Sequence, residues 1–118
     1  MNVLETTILE NPETGVEAML TPGNLLALVL VRDGRARLND LSRRFDVSMD
    51  ELKQAVRQMR RARLVKTKKS GGKLLVVRAP EWSVDDDTRR RFTEMLDALE
   101  KVADEQRSKE NQTTTGVA

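Results

Sequence analysis

Arg57, Arg61, Gln54 and Gln58, with Lys53 beside them, carry the most directed chemistry in this chain. A guanidinium fork can pair with both acceptors on a guanine edge, a carboxamide can pair with adenine, and an ammonium answers a phosphate as a point charge. Asp50 falls near the same set, where it would accept from a cytosine amino group or repel the wrong phosphate register. Other chemistries find little support. With no Cys and no His, disulfides, thiol redox sensing, a Cys/His zinc site and catalysis by either residue are excluded. Asp85, Asp86 and Asp87 could hold Mg²⁺, but no further ligand and no phosphate-binding loop accompany them, so no metal or cofactor is expected. Without a nucleophile beside a base, the chain is not expected to be an enzyme.

Two short helices joined by a tight turn must position the donors. Leu52, Ala55, Val56 and Met59 follow the spacing of a core-facing stripe, which predicts a helix over about 49–62. At about 100° per residue, Asp50, Gln54, Arg57 and Arg61 fall on the opposite side, flanked by Lys53, Gln58 and Arg60. Ser48, with Glu51 three residues on, reads as a capping box that starts this helix, and Ser48 is counted among the candidate contacts. Before it, Asn39 reads as an N-cap, and Leu41 and Phe45, four residues apart, share one face of a shorter helix. Asp46-Val47-Ser48 is the turn between them.

After the basic helix, Arg63–Lys69 and Lys73–Arg78 flank Ser70-Gly71-Gly72, and β-branched and apolar residues on both sides of a Gly-Gly turn predict a β-hairpin. In element order, apolar spacing and turn residues, residues 21–79, about half the chain, resemble the winged helix-turn-helix family of DNA-binding domains. The layout is similar to small bacterial and phage transcription regulators of the PadR-like and multiple-antibiotic-resistance-like types, which carry a further helix after the wing. The resemblance implies a three-helix bundle plus wing, mainly α with a small β-hairpin. It also implies that helix 49–62 enters the major groove of double-stranded DNA while the wing, 66–73, meets the backbone or minor groove. On that reading Ser48, Lys53, Gln54, Arg57, Gln58 and Arg61 address the groove, and Lys66, Lys68, Lys69 and Lys73 contact phosphates. Lysines on an edge strand also discourage edge-to-edge pairing, which is the plainer use of the last four.

The charge distribution points the same way. A net charge of +2 conceals a segregation: residues 32–78 hold 15 Lys/Arg against 5 Asp/Glu, whereas residues 1–31 hold 4 acids and no base, and residues 79–118 hold 10 acids and 6 bases. The excess falls on the predicted helix pair and hairpin. The core must rest on Leu, Val, Met and Ala, because Phe45, Phe92 and Trp82 are the only aromatics.

Residues 1–20 are expected to be an acidic, partly disordered arm, stopped by Asn11-Pro12. Thr21-Pro22 reads as a helix start, so Leu25–Val31 becomes a central buried helix, although periodicity alone does not separate that run from a buried strand. Asp33-Gly34 ends it, and Arg35–Leu38 suits a short strand pairing with the hairpin. Over 80–110 we expect a linker, anchored on the core by Trp82, and a C-terminal helix opened by a capping box of Ser83 and Asp86. Phe92, Met95, Leu96, Leu99, Val102 and Ala103 form one apolar stripe on it, which either packs on its own domain or pairs with a second subunit; a homodimer is the favoured expectation. Residues 111–118 are expected to be a disordered tail. The apolar run at Leu25–Val31 is too short to span a bilayer and no secretory signal is apparent, so a cytoplasmic location without membrane contact is expected. A dimeric transcription regulator is the leading expectation. The alternatives are a protein-interaction module, as an adaptor or a phage-encoded binder of a host factor, and a non-specific architectural DNA binder. Any small-molecule effector is left open.

Overall fold

The computed structural model describes residues 21–116; the expected N-terminal arm and residues 117–118 lie outside the described residues. The first helix, α1 (Pro22–Asp33), begins where the Thr21 hydroxyl accepts the Asn24 N–H at 3.1 Å and proline occupies the first turn. It ends at Gly34, whose φ of 79° suits a left-handed cap. Leu25, Leu26 and Leu28 through Val31 are all buried. A helix apolar around most of its circumference needs cover on several sides, and the second helix pair, the first strand and the last helix provide it.

Strand β1 (Arg35–Arg37) runs directly into α2 (Leu38–Phe45), so Arg37 is both the last strand residue and the residue before the helix. Asn39 therefore sits inside the first turn and is not the N-cap expected of it. The reason is positional: Leu38, fully buried, is already helical, and the strand leaves no room for a capping residue after it. Asp46 takes φ 54° at the end of α2, and the Ser42 hydroxyl donates to the Val47 carbonyl at 2.7 Å to close the turn. Ser48 then accepts the Glu51 N–H at 3.4 Å, opening α3 (Met49–Arg61). Leu52 and Val56 are buried, with Ala55 and Met59 half-buried against the same core.

The strands form one antiparallel sheet in the order β1-β3-β2, with β2 spanning Val65–Ser70 and β3 Lys73–Arg78. Gly71 and Gly72 join them with φ of 59° and 76°, the double left-handed turn whose twist matches a hairpin. Register pairs Ala36 with Val76 and Val76 with Thr67, so these three share a face with Val65, and Val65, Ala36 and Val76 are buried on the core. Arg35 and Arg37 share the opposite face with Lys66 and Lys68, at one remove across β3.

Helix α4 (Asp86–Gly116) is opened by Asp85, whose Oδ1 accepts the Thr88 N–H at 2.7 Å. The cap is thus two residues later than the Ser83 expected of it, because Trp82, half-buried on the core and bonded through its backbone N–H to the Ala79 carbonyl, keeps Ser83 in the connecting bend. The helix continues to Gly116, past residue 110 where a tail was expected. Once nucleated, a helix adds one hydrogen bond per residue fixed, and no proline interrupts this stretch before the glycine. Among the described residues no helix is long and apolar enough to cross a membrane.

The apolar stripe on α4 faces α1. Met95, Leu96 and Leu99 belong to the same core as Leu25, Leu26 and Leu30, Val102 and Ala103 are buried too, and Phe92 packs on the edge. The surface the sequence offers for a subunit interface is used inside the chain, because α1 needs cover that α2 and α3 alone do not supply. A two-fold dimer through that stripe would have to strip α4 from α1.

Candidate nucleic-acid interface

On α3 the exposed side chains are Asp50, Glu51, Lys53, Gln54, Arg57, Gln58, Arg60 and Arg61. Gln54, Arg57, Gln58 and Arg61 lie three and four residues apart and make one stripe opposite Leu52 and Val56, with Lys53 and Arg60 along its flank. The packing of Leu52 and Val56 fixes the helix rotation, so the stripe is rigidly presented. Ser48 stands at its start but has its oxygen engaged in the cap, which leaves only the hydroxyl proton to offer a ligand.

The hairpin lysines do not share one face. Lys66, Lys68 and Lys73 alternate onto the outward side, while Lys69 pairs with Leu74 on the core side, beyond the reach of the core at the hairpin tip, and is exposed there. All four nonetheless reach solvent. Arg35 and Arg37 extend the outward set onto β1.

Electrostatically the basic stretch divides in two. Arg32 on α1 donates to Glu100 at 2.5 Å, to Asp97 at 2.9 Å and, through Nε, to Asp33 at 2.9 Å. Arg44 on α2 donates at 2.7 Å to Glu100 Oε2, which Arg32 also reaches at 3.1 Å, and to both oxygens of Asp104. Glu100, with its side chain 16% exposed, thus bridges two arginines and ties α4 to α1 and α2. The Glu100 hydrogen bond is the main reason the Arg32 guanidinium is held even further above the range in which it would lose its proton, and the Asp104 hydrogen bond does the same for Arg44. Arg43 pairs with Asp40 on its own helix. By contrast, Lys53, Arg57, Arg60, Arg61, Arg63, Lys66, Lys68, Lys69 and Lys73 form no ion pair among the described residues. Arg57, Arg60 and Arg61 line an open depression of about 330 Å³ at the C-terminal end of α3.

No family model, curated protein or solved structure matches this chain. The site must be read from its own geometry.

Sequence reasoning missed the clamp, although a signal was present: Asp97, Glu100 and Asp104 recur at three- and four-residue spacing and so form an acidic stripe on α4. Reading that stripe against Arg32 and Arg44 would have removed two cations from the pool available to a ligand. It placed Arg60 only on the flank of the donor row and gave Arg63 no role, and the structure leaves both exposed beside the predicted set. The three aspartates before and within the first turn of α4 have local uses. Asp85 caps, with its carboxyl held below the usual range chiefly by the Thr88 backbone hydrogen bond, and Asp87 pairs with Arg90 at 2.6 Å and with Arg91 at 3.5 Å.

Proposed function

We propose that this chain is a winged helix-turn-helix protein that binds double-stranded DNA in a sequence-specific manner as a transcription regulator, with α3 in the major groove and the β2–β3 hairpin on the phosphate backbone. The observation that supports it most is the division among the cations. Those on α1 and α2 are neutralised by the chain's own carboxylates, whereas those on α3 and the hairpin have no carboxylate partner among the described residues, so an unbalanced positive surface coincides with a row of guanidinium and carboxamide donors. A solvated basic face would not need Gln54 and Gln58 interleaved with Arg57 and Arg61, but readout of base edges does. The element order, with β1 pairing to the hairpin and α2 and α3 joined by a tight turn, supports the winged-helix assignment.

The folded chain presents a single α3 and therefore one half-site reader. Any second copy would join through a surface other than the buried stripe of α4. Binding is tested by fluorescence anisotropy on a pool of short duplexes across a salt series, with sequencing of the retained fraction. A steep salt slope with an enriched motif is expected, palindromic if two copies bind. A steep slope with no motif would replace specific readout with an architectural role. No binding at about 50 mM salt would overturn the proposal in favour of a protein partner.

A further inference from the structure

Of the left-handed positions among the described residues, Gly34, Gly71 and Gly72 are glycine and Asp46 is an aspartate, a residue type that tolerates this geometry; the remaining one, at φ 61°, is Arg63. Arg63 follows α3 in a Schellman-type turn. The Leu64 N–H reaches back to the Met59 carbonyl at 3.0 Å and the Arg63 N–H to the Arg60 carbonyl at 3.0 Å, and Leu64 and Met59 both pack on the core. That turn needs a residue able to adopt positive φ and has no use for a long side chain, so glycine would fill it with less strain. Nor does the helix dipole call for Arg63, since Arg60 and Arg61 already stand in the last turn. The guanidinium is exposed and has no carboxylate partner among the described residues. With Arg57, Arg60 and Arg61 it brings four like charges into one short stretch, an arrangement that attracts an anion.

Building on the DNA-binding reading, we propose that Arg63 is a dedicated phosphate contact at the joint between α3 and β2. Backbone strain is retained there because a guanidinium at this point meets a phosphodiester between the groove-reading helix and the hairpin. It sets position and affinity, and it does not select bases.

The test uses Arg63→Gly, Arg63→Asn and, as an exposed cation elsewhere, Arg89→Gln. Each is measured for Tm and for binding to the duplex enriched from the pool and to a random duplex. Both Arg63 variants should keep or raise Tm, since each replacement accepts positive φ more readily. They should weaken both duplexes by a similar factor, about fivefold, and make the slope of log affinity against log salt shallower by about one; Arg89→Gln should leave the slope unchanged. Unaltered affinity and slope in Arg63→Gly would reduce Arg63 to a turn residue while leaving the DNA-binding reading intact. A fall in Tm that accompanies the loss would make its role structural. Wild-type protein that binds neither duplex would overturn both this inference and the reading beneath it.

Discussion

Arg44 on α2 and Arg57 on α3 carry the same guanidinium on successive helices, yet one is held by Glu100 and Asp104 and the other has no such partner among the described residues. The difference lies in what each helix faces. The outer side of α2 lies under α4, whose acidic stripe meets it, whereas the outer side of α3 has no neighbour among the described residues. An arginine with two carboxylates is a structural tie, and its charge is invisible to a distant anion. An arginine left open contributes field and directed donors. A count of cations over residues 32–78 therefore overstates the ligand-binding surface, and the folded chain corrects it by removing Arg32, Arg43 and Arg44.

This contrast can be broken from either side. Leu99→Ala, in the layer beneath Glu100, should have the largest effect, a loss of about 2–5 kcal/mol of stability. The midpoint in a denaturant titration should be the same at every protein concentration; a strong concentration dependence would mean that Leu99 serves a subunit interface after all. Next, Arg57→Ala or Arg61→Ala should weaken specific binding by about 1–3 kcal/mol while leaving stability within about 0.5 kcal/mol. Equal loss on specific and random DNA would deny them base contacts. Glu100→Gln should do the reverse, costing about 1–2 kcal/mol of stability as two partly buried guanidiniums lose a shared charge, with the salt slope of DNA binding unchanged. Smaller still, Lys68→Ala should weaken all duplexes alike and flatten the slope by about one; a sequence-dependent loss would move the hairpin from backbone to base contact.

The smallest effect concerns pH. Because the folded Asp85 carboxyl titrates below its ordinary value, through the Thr88 N–H above all, its contribution is present above the unfolded carboxylate range and is lost as pH falls through the folded value. Asp85→Asn keeps a capping acceptor but removes the titration, so its acid unfolding profile should be flatter than that of wild type below the ordinary carboxylate range. Circular dichroism at 222 nm would show this, and superimposable profiles would remove the cap from the acid limb.

Much of the fold was legible where the deciding interactions are local. Thr21-Pro22, Ser48 and Gly71-Gly72 each act within a few residues, so α1, α3 and the hairpin start or turn where their residues indicate. The rotation of α3 was legible as well, since Leu52 and Val56 define one side and hence the other. Caps at Asn39 and Ser83 were misplaced because several short polar residues compete at each helix start, and the strand before α2 and the Trp82 anchor before α4 decide between them. The destination of the α4 stripe and the clamp around Glu100 were not legible, because they join residues far apart in the chain and a periodic helix does not say which surface it covers.

That separation also sets an order of events during synthesis. The leucines of α1 leave the ribosome before α4, but the last of the apolar side chains that cover them, and the carboxylates that hold Arg32, reside on α4, with Arg32 and Glu100 68 residues apart. At about 5–20 residues per second, α1 waits roughly 3–14 s for its cover. During that interval the nascent chain displays an aliphatic helix covered on only some of its sides, which makes it a client for holding chaperones and makes any stop before α4 a route to aggregation.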